Sequence, residues 1–444
     1  MSSDSPTPSP TLLISGLPPK TLVGIDLFSF NSAPNFHGIK ELPSGAHFLY
    51  TGTTASFSLR SGEWIFITDI DGSSADIRLR KWDADLETLV PVDDGSEEGR
   101  REAMQRRANL GRIWRAGGLL AYRARWDKGH QTPEGDGQGT DVDTATPSRK
   151  DWRRLTEYIT PTVLDRILGS GEQGADKWMV TSGSSAACDT DNIPGLSEAE
   201  VYSVAGVAGE QEKELRFLSI DLKRTWREGA IGRERTEGAR DKSWALGDLV
   251  DKFKDDTNYS ELEPGEAQCL GEMQFTFLMV LTLMNFSCLE QWKRLLGLLF
   301  TCRDAVVARE WFFVKVLQLL RLQLAHCDDV EGGLFEMDGD DGGALLRKLL
   351  TGFCKAVDEI AELQKSRVRT ELEKLEHWVK REYGWELRRG FVVRRGMLEL
   401  EDGERVEMDM NDAEEEDESG EYAPMVVDLG DTGIPEGMVD LPYR

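Results

Sequence analysis

Cysteine, histidine and excess positive charge are all scarce in this chain of 444 residues. Its six cysteines (Cys188, Cys269, Cys288, Cys302, Cys327 and Cys354) form no CxxC pair, which argues against a zinc ribbon or a redox dithiol. Five of them sit among apolar residues at helical spacing, as reduced core thiols of a cytosolic or nuclear protein do. The five histidines (His37, His47, His130, His326 and His377) fall on separate stretches. His326 and Cys327 adjoin, but neighbours on a helix point about 100° apart and make poor metal partners. Neither a metal nor another cofactor is expected.

With 80 acidic against 53 basic residues the formal charge is −27. Binding to phosphate backbones rests on Lys and Arg, so this balance disfavours direct RNA binding. One local exception runs over 101–125, where Arg106, Arg107, Arg112, Arg115, Arg123 and Arg125 alternate with Trp114, Tyr122 and Trp126. That mixture could make a stacking surface. A solvated helix whose arginine stems cover its aromatics is the preferred reading.

Long apolar runs are missing too. The densest window, 269–289, contains Glu272, Gln274, Thr276, Thr282 and Asn285, and so falls short of the roughly 20 apolar residues of a membrane span. It reads as a buried helix, and no membrane association is expected. The start of the chain, 1–10, is rich in Ser and Pro and lacks the layout of a secretory signal. Two formal glycosylation sequons, at Asn258 and Asn285, are therefore coincidental.

Catalytic signatures are equally thin. Residues 169–174 spell G-x-G-x-x-G but follow a helical pattern and precede no apolar helix, so no pyrophosphate site forms there. The acidic stretch 338–342 resembles a calcium loop without its Gly at position 6 or its Glu at position 12. No nucleophile, base and orienter fall together, and an enzyme is not expected.

What the chain does have is two kinds of periodicity. Short β-type runs at 11–14, 22–27, 47–50, 57–59, 64–67 and 77–82 are separated by Gly, Pro, Ser or Asp, which points to an antiparallel sheet or sandwich. A helix over 96–110 packs on or beside it, and the chain recovers over 151–159 and 163–168, with Thr160-Pro161 at a helix start. The first domain is thus 11–168, carrying a disordered insertion at 129–148. A linker, 169–240, contains a short strand at 215–220. From 241 to 400 the period is helical. Trp244, Leu246, Leu249, Val250 and Phe253 share one side of a first helix, Pro264 marks a break, and apolar faces recur over 267–286, 289–300, 311–324, 345–354 and 357–378. The fold class is α+β, a β-rich N-terminal domain followed by an all-α domain.

Residues 401–444 form an acidic tail. Asp412-Ala413-Glu414-Glu415-Glu416-Asp417-Glu418 repels itself and should be unfolded. The β-prone segment 421–429 follows: Tyr422, Ala423, Pro424, Met425, Val426, Val427 and Leu429 are the candidate partner-binding residues, a strand for another protein's sheet edge.

The order of residues in Gly24-Ile25-Asp26-Leu27-Phe28-Ser29-Phe30 and in 36–50 resembles the A1-cistron splicing factor family. So do Leu215-Arg216-Phe217-Leu218-Ser219-Ile220, Asp241-Lys242-Ser243-Trp244, Met273-Gln274-Phe275 and Trp292-Lys293-Arg294. The resemblance implies a VHS-like helical domain and no catalytic activity. It implies a pre-mRNA splicing role as an assembly chaperone of the U5 small nuclear ribonucleoprotein, in cytoplasm and nucleus. The partner would be that particle's large scaffold protein, held through its RNase-H-like and Jab1/MPN-like domains by a C-terminal tail, with premature helicase and RNA association blocked. The free chain is expected to be monomeric. The VHS-like architecture alone would also suit a generic helical adaptor in protein trafficking.

Overall fold

The computed structural model describes residues 9–53, 59–68, 77–92, 95–122, 149–169, 178–186, 214–253, 262–330, 333–337, 343–388, 394–399 and 405–410. The chain divides into two compact units, Met1–Trp378 and Val379–Arg444. Strands β1 (Thr11–Ser15), β2 (Leu22–Ile25), β3 (Phe28–Asn31), β4 (Gly38–Lys40), β5 (Gly45–Gly52), β6 (Arg60–Ile67), β7 (Ile77–Asp83) and β8 (Thr88–Pro91) lead to helix α1 (Glu97–Arg115). After β9 (Leu119–Ala121) come α2 (Arg149–Leu155), α3 (Pro161–Leu168) and β10 (Met179–Thr181).

These strands make two five-stranded sheets, ordered β8-β7-β1-β4-β9 and β10-β6-β5-β2-β3. The sandwich is mixed rather than wholly antiparallel, because β1 runs parallel to β7 and β4 parallel to β9. All five residues of β1 are buried, and its alternation serves two layers. Leu12 and Ile14 face the inter-sheet core with Val23, Ile25, Ile39, Leu49 and Ile65. Leu13 looks the other way, onto Leu79, Leu119 and Ala103 of α1. The expected helix beside the sheet is therefore this covering layer, capped by Ser96, whose hydroxyl accepts from the Gly99 N–H. The outer face of the second sheet carries Phe48, Tyr50 and Trp64. Gly24 permits this, because a Cβ there would lie 1.9 Å from the Tyr50 ring.

The segment read as a linker is more structured than its composition suggests. Met179–Thr181 pairs with β6, and α4 (Arg233–Arg240) precedes the helical region. The strand expected at 215–220 is absent. Its backbone bonds instead to Ser185, Ile167 and side chains, because Leu215 N donates to Ser185 O and Arg216 N to Ile167 O. Of the β-run at 57–59, residues 57–58 lie outside the described residues, as does all of 129–148.

Helices α5 (Ser243–Asp251), α6 (Pro264–Leu283), α7 (Phe286–Leu299), α8 (Asp304–Ala308), α9 (Glu310–Leu324), α10 (Leu334–Met337), α11 (Ala344–Glu359) and α12 (Arg367–Tyr383) follow. Pro264 occupies the first turn of α6, and Glu263 and Glu266 form a capping box there. Every residue of α6 from Gly265 to Leu283 is buried. Leu246, Leu249 and Val250 of α5 are buried as expected, but Trp244 is 45% exposed. The stretch 357–378 is not one helix: Val357 lies in the last turn of α11, which ends at Glu359, and a 3-10 turn at Ala361–Lys365 separates it from α12. Among the described residues no helix is long and apolar enough to cross a membrane.

In the second unit a hairpin of β11 (Arg394–Glu399) and β12 (Arg405–Met410) straddles the position where the helical domain was expected to give way to the tail.

Candidate functional site

Chemistry-bearing groups converge at two places in the first unit, and each is a closed network. The first is built on Asp26, at the two-residue turn between β2 and β3, with φ of 58° in the left-handed region that Asp tolerates. Its N–H donates to Phe48 O at 2.8 Å, and its Oδ1 accepts from Phe48 N at 2.9 Å. Its Oδ2 meets His47 Nδ1 at 2.7 Å and accepts from the Tyr122 hydroxyl at 2.5 Å. His47 Nε2 lies 2.9 Å from Pro43 O. Both ring nitrogens thus face oxygens, Nδ1 the Asp26 carboxylate, which already holds two other donors, and Nε2 the Pro43 carbonyl. Asp26 and His47 are 0% and 2% exposed. An acid beside a histidine suggests a relay, yet the third member is a phenol that donates into the same carboxylate, and no nucleophile adjoins. The group pins strand β5, the β2–β3 turn and the residue after β9 to one another.

The second network surrounds α6 and joins the β-rich region to the helices. Glu272, fully buried, accepts from Arg166 Nη1 at 2.5 Å, from Leu218 N at 3.0 Å and from Gln291 Nε2 at 2.8 Å. Two residues further along α6, and so on its other side, Gln274 accepts from Tyr158 N and donates to Arg154 O, both at 2.8 Å. Asn285 donates to the carbonyls of Thr181 and Ser184, and its Oδ1 caps α7 by accepting from Cys288 N. From the sheet side, Arg60 donates to Thr282 O at 2.9 Å, and Trp152 Nε1 donates to Ala46 O at 2.9 Å. Trp64 stacks on Trp152 and tilts against Phe275. Gly271 lets the two regions approach, since a Cβ there would come within 2.6 Å of Tyr158 O. Three of the polar residues that interrupt the apolar run 269–289, Glu272, Gln274 and Asn285, are therefore ties between two halves of one body, whereas the Thr276 and Thr282 hydroxyls bond back to carbonyls of α6.

Neither Cys269 nor Cys302 is poised for reaction. Burial, helped by the Glu272 charge, pushes Cys269 up to about 12, and burial with Asp241 raises Cys302 as well. Among the described residues no group of three or more His, Cys, Asp or Glu could hold a metal ion.

The arginine-rich stretch does not make a stacking surface in its described part. Arg101 pairs with Glu97 and Arg106 with Glu102, each one turn apart on α1. Trp114 lies under the Lys40 ammonium, and Tyr122 is in the core on Asp26. Arg123, Arg125 and Trp126 lie outside the described residues, as do the tail residues Tyr422, Ala423, Pro424, Met425, Val426, Val427 and Leu429. The Asp26 and Glu272 networks were not foreseen as networks. The only sequence signal for the second was the set of polar residues inside a run too apolar to be exposed.

A mixed β-sandwich fused through a buried polar seam to a helical region defines an α+β protein of two joined halves, and the comparisons divide it at the same place. The family model for the AAR2 N-terminal domain matches residues 8–169, and that for the AAR2 C-terminal repeat region matches 217–388. A Homo sapiens protein named Protein AAR2 homolog is 24% identical over 332 residues, covering 71% of this chain and 75% of its own. The Mus musculus homologue is 25% identical over 328 residues with the same coverage, and that of Caenorhabditis elegans is 23% identical over 338 residues, covering 71% and 78%. The chain belongs to the AAR2 family, the A1-cistron splicing factors, and is a splicing-related protein.

Proposed function

We propose that this chain is a non-enzymatic assembly factor of the U5 small nuclear ribonucleoprotein, one that holds the particle's large scaffold protein during assembly. Membership of the AAR2 family carries the reading. The family resemblance supplies its terms: a C-terminal tail bridges the scaffold's RNase-H-like and Jab1/MPN-like domains, and the helicase and premature RNA contacts are held off. On this reading the helical half is the VHS-like domain, the free chain is a monomer, and it works in cytoplasm and nucleus.

Physical features support it. The buried acids and amides of the body tie its own halves together, which leaves a rigid surface for docking. A formal charge of −27 favours a protein partner over RNA. The β-prone tail segment, Tyr422 to Leu429, suits addition to a sheet edge, where main-chain bonds give affinity and alternate side chains give specificity.

Co-purification with the scaffold from nuclear extract, with and without residues 420–444, tests the proposal. Capture of spliceosomal proteins by the full chain, weakened by the deletion, is the expected result. Capture of membrane-coat or ubiquitin partners instead would favour the trafficking adaptor, and equal scaffold binding by both chains would refute the role of the tail.

A further inference from the structure

Residues Glu214 to Asp221 run without a turn or bend, yet no strand pairs with them among the described residues. Consecutive residues of an extended chain offer their N–H and C=O to opposite sides, so the segment has two edges. The inner edge is closed. Arg216 N donates to Ile167 O at 2.8 Å, Leu218 N donates to the Glu272 carboxylate at 3.0 Å, and Leu218 O accepts from Gln291 Nε2 at 2.9 Å. Glu272 and Gln291, themselves bonded at 2.8 Å, thus stand where the main chain of a neighbouring strand would. The outer edge belongs to Leu215, Phe217 and Ser219. Leu215 N donates to Ser185 O at 2.9 Å, which is one rung of pairing, and there the pairing stops. Among the described residues the N–H and C=O of Phe217 and Ser219 meet no partner. Both residues line a groove of about 690 Å³, shared with Ala186 and with Gln291 and Arg294 of α7.

We infer that this groove takes an extended segment of a partner polypeptide, added as a strand along Phe217 and Ser219. Two unpaired donor and acceptor sets about 7 Å apart are matched together by another extended main chain, whereas a small ligand would satisfy one rung. The edge needs no ordering before it binds, because Glu272 and Gln291 already hold Leu218, and preorganisation lowers the cost of association. Side chains narrow the sequence that fits. Phe217 and Ile220 are partly buried and favour apolar residues beside them. Arg216 is exposed, has no carboxylate partner among the described residues, and favours an acidic one. The arrangement reverses that of the proposed function, in which this chain lends its tail as a strand. Here it receives one, and the inference does not depend on the role of the tail.

Hydrogen exchange on the full-length chain alone reads the edge first. The Phe217 and Ser219 amides should exchange at least about a hundredfold faster than the Leu218 amide, which the carboxylate holds. Equal protection of all three would show the edge already covered, by this chain or a second copy, and would overturn the inference. A phage-displayed library of random peptides about ten residues long is then selected on the same chain. Selected peptides should alternate apolar residues and slow the Phe217 and Ser219 amides at least about tenfold. They should also bind Ser219→Pro at least about tenfold more weakly than Ser219→Ala, because proline removes the outward N–H and alanine keeps it. An open edge tolerates proline, so the two variants should melt alike. Failure to select any binder, or binders that leave those amides unchanged, would overturn the inference, and so would equal binding to two folded variants. Should Ser219→Pro unfold, the amide readout on the unsubstituted chain decides. No experiment here contains scaffold, so each can fail without touching the proposed function, which has its own test.

Discussion

The unit up to Trp378 and the unit from Val379 use polar residues in opposite ways. In the first, carboxylates and amides go inward: Asp26 and Glu272 are both 0% exposed, and each accepts three or more hydrogen bonds. In the second, acidic residues gather in sequence next to β-prone apolar ones, and the described backbone is a two-stranded ribbon. Buried charge that is fully bonded fixes one arrangement of packed elements, whereas charge in a run favours extension and leaves adjacent apolar residues to find a cover elsewhere. On the proposed function, stability and recognition belong to different stretches of one chain.

The contrast is sharpest where a single atom change should unsettle the first unit. Asp26→Asn removes the charge that holds His47 while keeping a residue that tolerates the left-handed turn. It should cost about 3–5 kcal/mol of unfolding free energy, read by urea denaturation, as removal of one partner of a buried pair does. A loss below about 1 kcal/mol would mean the network is incidental. Glu272→Gln should cost somewhat less, about 2–3 kcal/mol, because Arg166 reaches solvent and can be partly rehydrated. Its signature should be local as well: faster exchange of the Leu218 amide, which bonds to the carboxylate.

Alkaline pH probes the same interior. Cys269 titrates near 9.0 when exposed and near 12 when folded, and Tyr50 moves from 10.0 to about 12, both through burial. The folded state therefore holds more protons over that window. Stability contributed by these groups is complete below pH 9 and declines as pH rises towards 12, so denaturation midpoints should fall across that range. A flat profile would contradict the burial of these groups. The smallest expected effect on stability belongs to the second unit: deletion of 420–444 should change the unfolding free energy of the body by less than about 0.5 kcal/mol.

Much of this contrast could be read in the sequence, and the misses have physical causes. Alternation located β1, β2, β5, β6 and β7, and the 3.6-residue period located α5, α6, α7, α9 and α11. The missed strands β3, β4, β8, β9 and β10 are three or four residues long, where alternation barely registers, whereas the equally short β2 was caught within the longer apolar run 22–27. The parallel pairing of β1 with β7 depends on partners 66 positions apart, Thr11 with Ile77, which no local pattern encodes. At 215–220 the β-prone residues were read correctly but their partners were not. Leu218 finds a carboxylate and a glutamine instead of a strand. Tyr122 was read as an aromatic packed beneath arginine stems, with a stacking surface as the alternative, and it is buried, but the partner of its hydroxyl, Asp26, lies 96 positions away, beyond any local pattern. Glu272 and Gln274 were seen only as reasons against a membrane span. Their burial was implied by the apolar residues around them, but which backbone groups they would satisfy was not. The paired strands 394–399 and 405–410 fall on either side of the boundary drawn at 400, the first within the stretch read as helical and the second within the acidic tail, and neither was read as β.

Central to the proposed function is a division of labour between a rigid body and a terminal segment as the binding element. The most direct measurement is a titration of purified scaffold protein with the full chain and with the chain lacking 420–444, alongside calorimetric unfolding of both. Unchanged melting of the body with affinity reduced at least about tenfold, 1.4 kcal/mol or more, is the predicted result. Equal affinity of the two chains would contradict it.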